Sequence, residues 1–577
     1  MTATADGARP LIDVDNLHVR FGDGAPVIKG ISFQLHRGES LALVGESGSG
    51  KSVTSRTLVG LTGHGAQVRA DRLRIDGEDL LAYDERRWQD LRGRRIGFVM
   101  QDALGSLDPL RRVGDEVSEP LRLHTGLSRH QRQRRTLELL SSVGLPEPET
   151  RLRQYPHQLS GGLRQRALIA SAIACYPELL IADEPTTALD AAVQAQVLDL
   201  LESLKTPDNA MLIVSHDFAV VSRLADRVAV MQHGVIVEQG PLEAILHDPQ
   251  HPYTKSLLSA VLSLQKRHPV PQLAPVEQFV ALPELPAAIP ARARKDQPVV
   301  IECNNLSKSF TGPDGDKRKA VSEVSFALRK GETVGIVGES GSGKTTLIRM
   351  LLGLEKPDVG NVWLRDRMWS TLSATEQRAE RRRVQVVFQD PLASFDPRYT
   401  VERVLGEALA VAGYRDPAQT RTRMIELLRL VRLDASCLAR RPIELSGGQR
   451  QRIAIARALA PEPEVLVCDE PVSALDVSVQ VQILDLLAEL KDRLGLSCLF
   501  ISHDLGVIYR ISDRILVMKD GVVVESGGVH EVFEQPQHAY TRSLLSAVPQ
   551  LGIRGKTNNL VNLGSNAREE EAKLDAA

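Results

Sequence analysis

The chain has 577 residues, more than a single hydrophobic core sustains, so at least two domains are expected. Its 71 Lys and Arg nearly balance 73 Asp and Glu, which excludes the broad basic surface that neutralises nucleic-acid phosphates. Cys175, Cys303, Cys437, Cys468 and Cys498 show no CxxC spacing; this argues against a disulfide framework or a zinc or iron–sulfur site and fits a reducing cytosol.

Residues 1–10, MTATADGARP, lack the apolar core of a secretory signal and read as a tail. No apolar run approaches the roughly 20 residues that span a bilayer, so any membrane work is expected to pass through a partner. From residue 11 onward, apolar strand runs such as LALV, GFVM, LLIAD and MLIVSH alternate with amphipathic helical stretches. That alternation predicts an α/β fold with a mostly parallel sheet.

The first chemical signal is GESGSGKS: Gly45, Glu46, Ser47, Gly48, Ser49, Gly50, Lys51 and Ser52. It follows the strand SLALV and opens a helix, the context that makes GxxxxGK[ST] a phosphate cradle. Backbone N–H groups and the helix N-terminus face the phosphates, Lys51 reaches the terminal ones, and Ser52 offers a hydroxyl to magnesium. Gln101, after GFVM, is a neutral group able to meet magnesium and the attacking water. LSGGLRQR follows, where Ser160, Gly161 and Gly162 leave a helix N-terminus open to an anion. LLIADE ends a buried strand in Asp183 and Glu184. Strand alternation sends these side chains to opposite sides; Asp183 is assigned to magnesium and Glu184 to polarising water. His216, after LIVS, is read as contacting the γ-phosphate and orienting the glutamate.

Almost every distinctive stretch then returns in the same order, the mark of a tandem repeat. GESGSGKT comprises Gly338, Glu339, Ser340, Gly341, Ser342, Gly343, Lys344 and Thr345, and it follows TVGIV. Gln389 follows VVF, LSGGQRQR begins its open helix end with Ser446, Gly447 and Gly448, VLVCDE ends in Asp469 and Glu470, and His503 follows LFIS. Thr345, Gln389 and Asp469 take the magnesium roles, and Glu470 and His503 the catalytic ones. Between the copies, Pro269, Pro271, Pro275, Pro283, Pro286, Pro290 and Pro298 disfavour helix and sheet, so residues 262–299 read as a semi-extended linker. The polar residues 550–577 read as a loosely ordered tail.

These motifs resemble ATP-binding cassette (ABC) nucleotide-binding domains at residues 11–261 and 300–549. The resemblance implies two tandem P-loop NTPase domains, each with a mostly parallel core sheet, an antiparallel β subdomain and a helical subdomain. It implies ATP and Mg2+ as ligands, and a head-to-tail pairing of the domains within the chain. Lys51 and Ser446 then close on one ATP, and Lys344 and Ser160 on the other. Phe21 and Phe310, at the ends of VRF and KSF, would stack on adenine or serve as plain core aromatics.

DPQHPYTKSLLSAV from Asp248 and QPQHAYTRSLLSAVP from Gln535 are similar to the C-terminal extension of importer ATPases for dipeptides, oligopeptides, nickel complexes and glutathione. Ala539 stands where the first copy has Pro252. The resemblance implies an ATPase that energises two separate permease subunits and works with an extracytoplasmic binding protein, peripheral on the cytoplasmic face of the plasma membrane. DALGSLDPL and DPLASFDPR, after the glutamines, would border the permease-docking grooves. The rival is a soluble tandem-cassette ATPase acting on ribosomes, whose type has a long charged helical linker and no HPYT extension. The extensions themselves would either pack the cassette ends or serve assembly.

Overall fold

The computed structural model describes residues 9–101, 103–187, 189–265, 297–311, 317–473 and 475–546. Nearly all of the expected N-terminal tail, most of the expected linker and the whole expected C-terminal tail lie outside the described residues. Apart from residues 190–192, which group with the second, the described chain divides after Ser259 into two compact units.

In the first unit the strands are β1 (Ile12–Phe21), β2 (Ile28–Leu35), β3 (Ser40–Val44), β4 (Ala66–Arg69), β5 (Arg72–Ile75), β6 (Glu78–Asp79), β7 (Ile96–Val99), β8 (Leu179–Asp183), β9 (Ala210–Ser215), β10 (Arg227–Gln232) and β11 (Val235–Pro241). They form a six-stranded sheet in the order β11-β10-β3-β9-β8-β7 and an antiparallel sheet β2-β1-β5-β6, with β4 also on β1. All neighbours in the six-stranded sheet are parallel except β10 and β11. Its central strands are buried along their whole length, which is why SLALV, LLIAD and AMLIVS read as continuous apolar runs. Helices Val113–His124, Arg129–Ser142 and Gly161–Ala172 make the helical part.

The second unit has β12 (Val299–Thr311), β13 (Lys317–Arg329), β14 (Thr333–Val337), β15 (Val359–Leu364), β16 (Arg367–Met368), β17 (Val384–Val387), β18 (Val465–Asp469), β19 (Ser497–Ile501), β20 (Arg514–Lys519) and β21 (Val522–Gly528). Its six-stranded sheet runs β17-β18-β19-β14-β20-β21, beside the antiparallel β13-β12-β15-β16. The six-stranded sheets match strand for strand, and the antiparallel sheets match except that β4 has no separate counterpart in the second unit. Each core joins both sheets, through Leu41, Leu43, Ile181, Leu212 and Val214 in the first and Val334, Ile336, Val467, Leu499 and Ile501 in the second.

In both units the central strand β3 or β14 delivers the glycine-rich loop, the adjacent strand β9 or β19 delivers the histidine, and the next strand out, β8 or β18, delivers the carboxylates. Ligand crevices at the carboxyl ends of parallel strands are the rule for such sheets.

Candidate functional site

After β3 the chain turns through Gly45 at φ 148°, where a Cβ would lie 2.1 Å from the carbonyl oxygen of Met231. Glycine is required there by conformation and by space. Gly50 caps the helix Lys51–Thr57 in the left-handed region. Lys51 is buried and its Nζ donates to the carbonyls of Gly45 (2.8 Å) and Glu46 (2.9 Å). The second cradle repeats this: Lys344 Nζ donates to Gly338 (2.7 Å) and Glu339 (2.8 Å). Burial pulls the Lys344 ammonium below its ordinary value, so a phosphate would offset the lost solvation.

Ser52 Oγ donates to Asp183 at 2.9 Å, and Ser55 Oγ donates to the other oxygen at 3.3 Å. Burial still raises the Asp183 carboxyl above the usual range, with the charge of Glu184 adding to it. A cation beside it would reverse that penalty. Ser52, Asp183 and Gln101 offer hard oxygen donors, which suits magnesium. Asp469 is raised in the same way, by burial and then by Glu470.

Asp183 and Glu184 bond different partners, and in neither pair does strand alternation run through both carboxylates. The strand ends at Asp183, and Glu184 takes a left-handed backbone at φ 49°; Glu470 does the same at φ 48°. Such conformations in non-glycine residues cluster where geometry is functional. Gln101 Nε2 and Thr187 Oγ1 donate to Glu184 Oε2 at 2.7 and 3.0 Å, while His216 Nδ1 lies 3.2 Å from Oε1. In the second unit Gln389 Nε2 donates to Glu470 at 2.9 Å and His503 Nδ1 lies 3.2 Å from it. Burial opposes the charge on each glutamate, yet the hydrogen bond and charge of the histidine hold it below the usual carboxylate range.

Ser160 and Ser446 cap the signature helices, accepting from the N–H of Leu163 (3.5 Å) and Gln449 (3.3 Å). Gln449 also reaches back to the Ser446 N–H at 3.1 Å, completing a capping box. A Cβ on Gly162 would meet Val193 at 2.3 Å, and one on Gly448 would meet Val479 at 2.6 Å.

The ABC transporter model matches residues 28–187 and 321–473, and the model of the oligopeptide/dipeptide transporter C-terminal region matches 237–283 and 524–575. The oligopeptide transport ATP-binding protein OppD of Mycobacterium tuberculosis is 41% identical, over 94% of this chain and 98% of its own. The glutathione import ATP-binding protein GsiA of Escherichia coli K12 is 42% identical, over 93% of this chain and 89% of its own. This chain belongs to the ABC transporter family. It is an ABC-type ATPase with two fused cassettes. A solved post-hydrolysis cassette dimer bound to ADP and Pi is 31% identical, covering 40% of the chain and 98% of its own, at a TM-score of 0.37.

The cassettes differ where adenine stacking was expected. Phe21 packs on the core and pairs with Ala66 of β4, while the pairing with β2 stops at Val19. Phe310 is 45% exposed; its strand pairs with β13 there, while the pairing with β15 stops at Ser307. The Lys308 Nζ sits 5.6 Å from the Phe310 ring centroid.

Sequence reasoning missed Ser55 and Thr187. Ser55 lies three positions after Ser52 on one helix, a spacing that shares a face. The matching position in the second cassette is Ile348, so the repeat itself concealed the signal. It also missed that each C-terminal extension reaches the cradle of its own cassette. Among the described residues no helix is long and apolar enough to cross a membrane.

Proposed function

We propose that this chain is the ATPase subunit of an importer for peptides or a related small solute such as glutathione or a nickel complex. The observation that carries this reading is the oligopeptide/dipeptide extension matched twice, at 237–283 and 524–575, each following a cassette with a full set of cradle, carboxylates and histidine. The cassettes are assigned to 11–261 and 300–549, joined by 262–299.

In the proposed reaction Lys51 or Lys344 offsets the charge on the terminal phosphates. Glu184 or Glu470 orients the attacking water and draws its proton, and His216 or His503 holds that glutamate in place. Ser52, Asp183 and Gln101, with Thr345, Asp469 and Gln389, would hold magnesium, which supplies charge stabilisation at the phosphates when bound. The cassettes pair head to tail, so that Ser446 closes on the ATP of Lys51 and Ser160 on that of Lys344. ATP favours the closed pair more than ADP does, and this differential binding drives the cycle.

Two permease subunits receive the motion, and an extracytoplasmic protein supplies the solute; the chain works on the cytoplasmic face of the plasma membrane. A groove of about 590 Å³ in the second cassette, lined among others by Phe388, Phe395, Asp396, Tyr399, Val411 and Arg457, is bordered by residues on both sides of Gln389 and is assigned to a cytoplasmic segment of a permease. The corresponding first-cassette segment starts at Asp102, itself outside the described residues, and continues through the short helix Ala103–Ser106.

Affinity purification of the full chain from its own membranes is expected to bring permease subunits, and vesicles rebuilt with them should accumulate labelled peptide on adding ATP. Recovery with ribosomes and without permeases would replace this reading with the ribosomal one.

A further inference from the structure

The tyrosine of each C-terminal extension touches the phosphate loop of its own cassette. Tyr253 Oη accepts the N–H of Glu46 at 3.0 Å, and Tyr540 Oη accepts that of Glu339 at 3.1 Å. The peptide group held in this way is the one joining Gly45 to Glu46, or Gly338 to Glu339. Its other end is the carbonyl that receives the cradle lysine, at 2.8 Å from Lys51 and 2.7 Å from Lys344. One peptide is therefore gripped from both sides, by the tyrosine and by the lysine, in both cassettes.

The extension is built to aim that hydroxyl. Glu238 on β11 accepts the N–H groups of Gln250 (2.7 Å) and His251 (3.1 Å), and His251 Nδ1 accepts the N–H of Tyr253 (3.2 Å). In the second copy Glu525 accepts from Gln537 (2.7 Å) and His538 (3.0 Å), and His538 Nδ1 accepts from Tyr540 (3.1 Å). The arrangement survives the replacement of Pro252 by Ala539, so the Glu–His–Tyr set is what the two copies share. Burial pushes the Tyr540 phenol up to about 12, so it stays protonated at neutral pH.

We infer that Tyr253 and Tyr540 are positioning residues for the phosphate-binding lysines, each tying the C-terminal extension to the ATP site of its own cassette. An acceptor at the N–H polarises the peptide and strengthens its carbonyl as an anchor for the lysine. Losing that acceptor costs the part-buried N–H a hydrogen bond and frees the peptide to rotate away. This inference rests on the assignment of Lys51 and Lys344 to the ATP phosphates.

The test is the full chain carrying Tyr253→Phe with Tyr540→Phe, which removes both hydroxyls and keeps both rings. The Kd and KM for ATP with magnesium are expected to rise roughly tenfold with little change in kcat, while the nucleotide-free protein melts cooperatively within a few degrees of the parent. Parent-like Kd and KM would overturn the inference. So would a fall in kcat at unchanged KM with a collapsed melting transition, because that marks a purely structural contact. Lys51→Ala with Lys344→Ala is measured in parallel; if it too keeps the parent Kd, the lysine assignment is what has failed.

Discussion

His216 and Glu184 face each other across 3.2 Å at the carboxyl ends of neighbouring strands, and burial surrounds both. Burial disfavours charge on the histidine, but the hydrogen bond and charge of Glu184 raise it above its ordinary value. The second cassette repeats the relation with His503 and Glu470. Each glutamate is thus oriented by a histidine from the neighbouring strand. His216→Ala with His503→Ala is expected to lower kcat about 10²-fold while the Kd for ATP changes little, as read by steady-state hydrolysis and equilibrium binding. An ATP affinity lost in step with kcat would make the histidines binding groups first.

Lys51 and Lys344 each sit buried under the loop that follows the central strand. Lys51→Ala with Lys344→Ala should abolish hydrolysis and uptake, because charge on the transferring phosphoryl group is left uncompensated. The circular dichroism spectrum should match the parent. Near-normal turnover of the purified double variant would refute the assignment.

Tight packing at the signature helix makes a stability prediction. A Cβ on Gly162 would lie 2.3 Å from Val193 Cγ1, so Gly162→Ala should destabilise the protein by about 1–3 kcal/mol, the usual range for overpacking. Adding Val193→Ala should return much of the loss. Denaturant midpoints of the parent, single and double variants measure it, and no recovery on adding Val193→Ala would show that the clash is not with that side chain.

What the sequence made legible follows from where each signal sits. Gly45 to Ser52, Asp183 with Glu184, and Ser160 to Gly162 are contiguous strings whose chemistry depends on local spacing, and the repeat doubled each signal. The contact of Tyr253 with Glu46 joins residues far apart in the chain, and no local pattern in HPYT names the loop that its hydroxyl meets. The left-handed backbone of Glu184 was equally hidden, because glutamate has no preference for it; the tertiary setting imposes it. Phe21 and Phe310 lie near the ends of similar strands, and opposite flanks are paired beside them: β4 beside Phe21 and β13 beside Phe310.

The last prediction follows from Leu163, which stands where the second signature has Gln449. Gln449 closes a capping box on Ser446, whereas Ser160 has only its own bond to the Leu163 N–H. The first signature helix therefore has the less fixed N-terminus, at a cost on the order of 0.5–1 kcal/mol for the missing reciprocal bond. In the proposed head-to-tail pairing that signature serves the site of Lys344 and Glu470, so this site should turn over more slowly. Glu184→Gln is then expected to cost more turnover than Glu470→Gln, and the double variant should lose about 10² to 10⁴-fold. Leu163→Gln should restore part of the difference. Steady-state ATPase rates of the assembled transporter decide it, read against the double variant because coupled sites need not add. A larger loss from Glu470→Gln would reverse the asymmetry and place the faster site under the first signature.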